Sequence, residues 1–181
     1  MKLTRFGITR PIALEIAKAT SKCMLDFKLD FIDKYGVNIS NKLISELIGK
    51  IFEVQCEKVL TNRLGYRVVK EKSDKEPDLF FTKINMPLEV KLTSTTNAWT
   101  GGEFSKRPFD YLMVSWGGNF DEFFMALIHL EKKDWKSNFS QNFYGPSYSA
   151  KNLYERKDKL VLLGSFELTP RKAIKIVREK I

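Results

Sequence analysis

The spacing of apolar residues changes abruptly at Gly65, and that change constrains the fold more than any other feature of the chain. Before it, apolar residues recur every three or four positions. Ile12, Ile16, Ala19, Cys23, Phe27 and Phe31 predict a helix over 11–34, with Pro11 suited to a first turn whose amides lack helical partners anyway. Tyr35-Gly36-Val37-Asn38 interrupts the pattern. A second helix is predicted from Ser40, a side chain suited to an N-cap, through Ile44, Leu47, Ile48, Ile51, Val54 and Val59 to Arg63, with Gly65 as its stop.

Beyond Gly65 the pattern becomes that of strands. Tyr66 to Val69 and Asp78 to Phe81 are short candidates. Met86 to Leu92 alternates, placing Leu88, Val90 and Leu92 on one face and Glu89 and Lys91 on the other, because successive side chains in a strand point to opposite faces. Tyr111 to Trp116 and Phe123 to Leu130 are continuously apolar, as central strands buried on both faces are. Asn138 to Ser149, aromatic and polar with Gly and Pro, reads as a loop. Leu160 to Leu163 is a last strand, and Thr169-Pro170 opens a terminal helix through Ile181. Helices, then strands, then a closing helix predict an α/β fold with a mixed sheet of four or more strands. The 181 residues fit one domain, 1–181, with a core over about 40–165 and helices 11–34 and 170–181 flanking it.

A net charge of +9 directs attention to polyanionic partners. Cys23 and Cys56 match no ligand spacing and read as buried thiols of a reducing compartment. The first residues hold no apolar run of signal-peptide length, and no stretch approaches the roughly 20 apolar residues of a membrane span. The expected location is cytoplasmic, with no membrane partner.

One group of residues carries a specific chemistry. Hydrolysis of a phosphodiester needs a divalent cation held by carboxylates, and a group to orient or deprotonate the attacking water. Glu89 and Lys91, two apart on a strand, project side by side. Asp78 on a paired strand would converge on them, and the ten intervening residues accommodate a hairpin turning near Thr82 to Asn85.

Pro77-Asp78, a ten-residue gap, then Glu89-Val90-Lys91 resembles the signature of the PD-(D/E)XK nuclease superfamily, which includes type II restriction endonucleases and Holliday junction resolvases. The flanks are similar as well. Gly49-Lys50-Ile51-Phe52-Glu53, then Leu60, Gly65 and Tyr66, resembles the preceding helix and first strand, and Thr93-Ser94 the hydroxyl-bearing tail after the lysine. The resemblance spans roughly residues 45–116. It implies a restriction-endonuclease-like α/β/α sandwich around a central mixed sheet. It implies Mg2+, with Mn2+ able to substitute, held by Asp78, Glu89 and the carbonyl of Val90. Lys91 would position the water and offset phosphate charge, and Glu53 matches a helix acid that adds to the metal site in many members; otherwise it is a solvated glutamate near Glu57. Glu76 is a lesser substitute.

Other residues bear on the partner. Thr93 to Arg107 follows Lys91 and should emerge beside the scissile phosphate. Thr93, Ser94, Asn97, Ser105 and Arg107 are candidate DNA contacts, and Lys106 could hold a phosphate; the alternative is a solvated loop. Trp99 either stacks on a base or anchors that segment. Residues 151–181 hold nine Lys or Arg against four acids, and Arg171, Lys175 and Arg178 share a helix face, a phosphate contact or a solvated surface. His129, in an apolar run, reads as a hydrogen-bonded core residue. The expectation is a sequence-specific endonuclease of double-stranded DNA of the type II restriction class. A palindromic site implies a homodimer, with a cognate DNA methyltransferase encoded separately. A junction resolvase, or a binding module that has lost cleavage, are the alternatives.

Overall fold

A computed structural model describes residues 2–70, 76–94, 98–117, 119–140, 143–149, 152–153 and 159–167. Two long helices come first. Helix α1 (Arg10–Phe27) carries Pro11 in its first turn. A π-helical turn (Lys28–Asp33) extends it. Helix α2 (Asn41–Leu64) is bounded as its sequence requires: the Ser40 hydroxyl accepts from the Leu43 amide, and Gly65 closes the helix at φ 68, a left-handed conformation that costs a residue without Cβ little. The buried line of α1 is Ala13, Ile16, Ala17, Thr20, Ser21 and Met24. The expected line through Phe27 and Phe31 leaves the core at the π-turn, which rotates Phe31 outward to 45% exposure.

The strands form a six-stranded mixed sheet in the order β1-β2-β3-β5-β6-β9. These are β1 (Val68–Lys70), β2 (Leu79–Phe81), β3 (Met86–Thr93), β5 (Phe109–Trp116), β6 (Glu122–Leu130) and β9 (Leu160–Glu167). The turn between β2 and β3 passes through Asn85 at φ 52, a conformation asparagine tolerates better than most residues. Among the described residues only the β3–β5 pairing is parallel, with Glu89 opposite Tyr111. The residues between these two strands form β4 (Ala98–Thr100) and a 3-10 turn (Glu103–Lys106), where a helix is the usual crossover.

The alternating faces of this sheet build two cores. Leu88, Val90, Leu112, Val114, Phe123 and Met125 meet α1, α2 and the N-terminal 3-10 turn (Lys2–Phe6), which inserts Leu3 and Phe6. Tyr111, Met113, Phe124, Ala126 and Ile128 meet Trp99, Phe104, Trp135, Tyr148 and Leu153 on the other side. That second cover includes a three-stranded sheet, β4-β8-β7, with β7 (Lys136–Ser140) and β8 (Phe143–Ser149).

Residues 138–140 and 143–149 are thus strand, not the expected loop. Aromatic residues favour a half-buried pleated surface, and the register of Trp99 against the buried Tyr148 fixes β8 despite Gly145 and Pro146. The layer opposite the helices is also β among the described residues, in place of the second helical layer of the expected sandwich, and helix 170–181 lies outside those residues. The mixed α/β class holds. No helix among the described residues is long and apolar enough to cross a membrane.

Candidate active site

Asp78, Glu89 and Lys91 meet where β2 and β3 separate. The last ladder pair there is Leu79 with Leu88. Beyond that pair, the Val90 amide donates to Asp78 Oδ2 at 2.8 Å, so the carboxylate replaces a ladder carbonyl. The carbonyl of Val90 lies on the same edge of β3, since the two main-chain groups of a strand residue point one way. Glu89 is 5% exposed; Lys91 Nζ donates to its Oε1 at 2.6 Å, while its Oε2 is buried with no hydrogen-bond partner.

The negative charge here is only partly offset. Burial, then the neighbouring Glu89 carboxylate, push Asp78 up from 3.8 to about 6; Glu53 adds to the rise, and the Val90 amide and Lys91 oppose it. The same charges reach their surroundings. Burial and then Glu53 and Asp78 hold the Cys56 thiol well above its ordinary value. Burial and then Glu89 raise the phenol of Tyr111, its cross-strand neighbour. A cation beside Glu89 Oε2 and Asp78 would relieve both the unpartnered oxygen and the mutual repulsion.

Glu53 projects from α2 into the same region, 8% exposed, but it is engaged elsewhere. Its Oε2 lies 3.3 Å from both Lys50 and Lys70. Among the described residues no three His, Cys, Asp or Glu side chains converge as a metal cage, so Glu53 is not assembled with Asp78 and Glu89 as a third ligand. Two carboxylates remain, a set that suits Mg2+, which keeps several waters and takes one or two protein carboxylates beside a substrate phosphate.

The segment after β3 returns to the lysine: a Cβ on Gly102 would stand 3.5 Å from Lys91 Nζ. Ser94, Lys106 and Arg107 are exposed and Thr93 is half-buried. Lys106 pairs with Glu103 at 2.6 Å, and the Arg107 guanidinium sits over the rings of Phe104 and Phe109. Ser105 is turned inward, its hydroxyl donating to the Gly102 carbonyl at 2.6 Å, which removes it from the contact surface. Trp99 is an anchor and not a free stacking platform: it is 1% exposed and its indole donates to the Val114 carbonyl. Asn97, Arg171 and Lys175 lie outside the described residues. His129 is half-buried and bonded to Asp110 at 2.6 Å.

Sequence reasoning missed Lys70. It stands opposite Leu79 in the β1–β2 ladder, one residue from Asp78, and holds Glu53. The signal was present, because antiparallel pairing of the two short strands sets Lys70 opposite Leu79, next to Asp78. No family model matches the chain, and no curated protein is similar to it.

Proposed function

We propose that this protein is a Mg2+-dependent endonuclease that hydrolyses phosphodiester bonds of double-stranded DNA, and that it cuts at a specific sequence as type II restriction enzymes do. The observation that carries the reading is the junction of Asp78, Glu89 and Lys91, with one buried Glu89 oxygen lacking a partner. Asp78, Glu89 and the Val90 carbonyl would hold the ion. When bound, Mg2+ supplies polarisation of the phosphoryl group and stabilisation of the leaving oxygen.

The chain's own groups do the rest. Lys91 pairs with Glu89 in the free protein, and its ammonium is placed to orient a water and to offset charge gathering on the phosphate. The Val90 amide fixes the Asp78 carboxylate, so this ligand needs little reorganisation. Lys50 and Lys70 hold Glu53 and keep its charge from adding fully to that of Asp78. Lys106, Arg107 and Ser94, exposed on the segment that returns to Lys91, supply phosphate and base contacts. A net charge of +9 favours the encounter with DNA.

Incubation of plasmid DNA with the protein, in Mg2+ or in EDTA, tests this. Discrete fragments in Mg2+ alone are expected. A smear would keep the nuclease and remove sequence specificity; a mobility shift without cleavage would make the protein a binding module.

A further inference from the structure

Glu89 is not the only group on its face of the sheet with an unanswered polar atom. Tyr111 Oη and Trp135 Nε1 are also buried without a hydrogen-bond partner, as Glu89 Oε2 is. Glu89 and Tyr111 stand opposite each other in the parallel β3–β5 register, so both side chains leave the sheet on one face. The Tyr111 ring meets the Trp135 indole edge-on, with centroids 5.3 Å apart and an interplanar angle of 67°. Trp135 in turn lies edge-on to Tyr148 at 5.9 Å. The Tyr148 hydroxyl donates to the Asn152 carbonyl at 3.0 Å, which fixes the far end of the row.

The three unanswered atoms are chemically complementary. Burial, and then the Glu89 carboxylate, raise the Tyr111 phenol, while Arg107 and Trp135 oppose the rise. The carboxylate and the phenol therefore share one desolvated space, in which the phenol keeps its proton and can donate it. The indole N–H can only donate, and the carboxylate can only accept. Each carboxylate oxygen has two lone pairs, so Glu89 Oε2 can meet a cation with one and a phenol hydrogen with the other. Buried tyrosine and tryptophan heads are ordinarily hydrogen-bonded, and an acceptor and a donor left side by side are the simplest partners for each other.

We infer that Tyr111 is the positioning residue of Glu89: its hydroxyl donates to the carboxylate at Oε2 and orients it toward the cation, with the Trp135 indole behind the phenol oxygen. The inference rests on the cation-binding part of the reading above. Hydrogen bonds to a ligating carboxylate hold it in place, and removing one such partner typically lowers metal affinity about 10- to 100-fold.

The test is calorimetric titration of the DNA-free protein with MgCl2, unaltered and as Tyr111→Phe, with each protein also melted in EDTA. Tyr111→Phe should weaken Mg2+ binding by about 10- to 100-fold. Its melting temperature in EDTA should be unchanged, because the ring keeps its packing against Trp135. Mg2+ should also perturb a tyrosine band in the near-ultraviolet difference spectrum of the unaltered protein, and Tyr111→Phe should lack that band. A lower melting temperature with Mg2+ affinity within about twofold of the unaltered protein would make Tyr111 a packing residue, overturning its role at Glu89 and leaving the nuclease reading standing. If Tyr111→Phe fails to fold, the spectrum decides: no tyrosine change on saturation of the unaltered protein with Mg2+ overturns the inference. Absence of Mg2+ binding to the unaltered protein overturns the cation site, and the role of Tyr111 with it.

Discussion

Two carboxylate clusters occupy this molecule, and they are balanced in opposite ways. At Glu131, Lys133 lies at 2.8 Å and Lys159 at 2.9 Å, and their hydrogen bonds and charges pull the acid down to about 2. Two cations serve one half-buried anion. At Asp78 and Glu89 a half-buried and a buried carboxylate share one lysine, Asp78 rises to about 6, and a Glu89 oxygen has no partner. The first cluster is complete as it stands. The second leaves negative charge that its one lysine offsets only in part.

The largest expected effect breaks the second cluster at its lysine. Lys91→Ala should lower cleavage by about 100- to 1,000-fold or more while DNA affinity in a mobility-shift assay stays within a few-fold, because in the proposed reaction the ammonium would act on water and developing charge. Cleavage at the unaltered rate would remove Lys91 from the chemistry.

Asp78→Asn comes next and should have two opposite results. It should stabilise the metal-free protein at pH 7 by about 2–3 kcal/mol in urea unfolding, since the native state no longer carries the charge that burial and Glu89 disfavour. It should also abolish the stabilisation by Mg2+, which in the unaltered protein reaches about 2.7 kcal/mol at 100 times Kd. A destabilised variant that still gains from Mg2+ would mean that Asp78 is a structural residue.

A pH series sharpens the contrast at smaller amplitude. The folded-state value for Asp78 lies above the usual 3.8, so its contribution to stability is fully present below about pH 4 and is lost as pH rises through about 6. Glu131 lies below its usual 4.5, so its contribution is present above that value and is lost as pH falls through about 2. Subtracting the Asp78→Asn urea-stability curve from that of the unaltered protein should reveal a fall between about pH 4 and 6. A flat difference would show that Asp78 is not perturbed.

The smallest effect is expected at Glu131→Gln. Exposed ion pairs contribute little, so its melting temperature should change slightly and its cleavage rate in Mg2+ not at all. A large loss of cleavage would show that the two clusters communicate.

Much of this arrangement was legible in the sequence because local rules decide it. Ser40 and Gly65 set the ends of α2, and the alternation of Met86 to Thr93 put Glu89 and Lys91 on one face. Other features depend on partners distant in the chain. Whether Glu53 is free or held depends on Lys70 arriving on β1, and whether Trp99 meets solvent depends on the Val114 carbonyl. The β7–β8 pair was read as loop because Gly145 and Pro146 are turn residues, whereas tertiary packing of Tyr148 overrides that preference. The turn of Phe31 out of the core reflects a π-turn, which no periodicity of 3.6 anticipates.

The single parallel pairing has a consequence for how the chain assembles. β1, β2 and β3 join through near neighbours, as do β5 and β6, so each meander can form from contacts close in sequence. β3 meets β5 across the intervening strand and 3-10 turn, a longer separation than any pair within either meander. Joining distant segments costs loop entropy before any contact repays it, so this seam should be among the later events of folding. Asp78, Val90, Glu89 and Lys91 all belong to the first meander, and the carboxylates can meet before the sheet is whole. Tyr111, and with it the dry wall behind Glu89, arrives only when the seam closes.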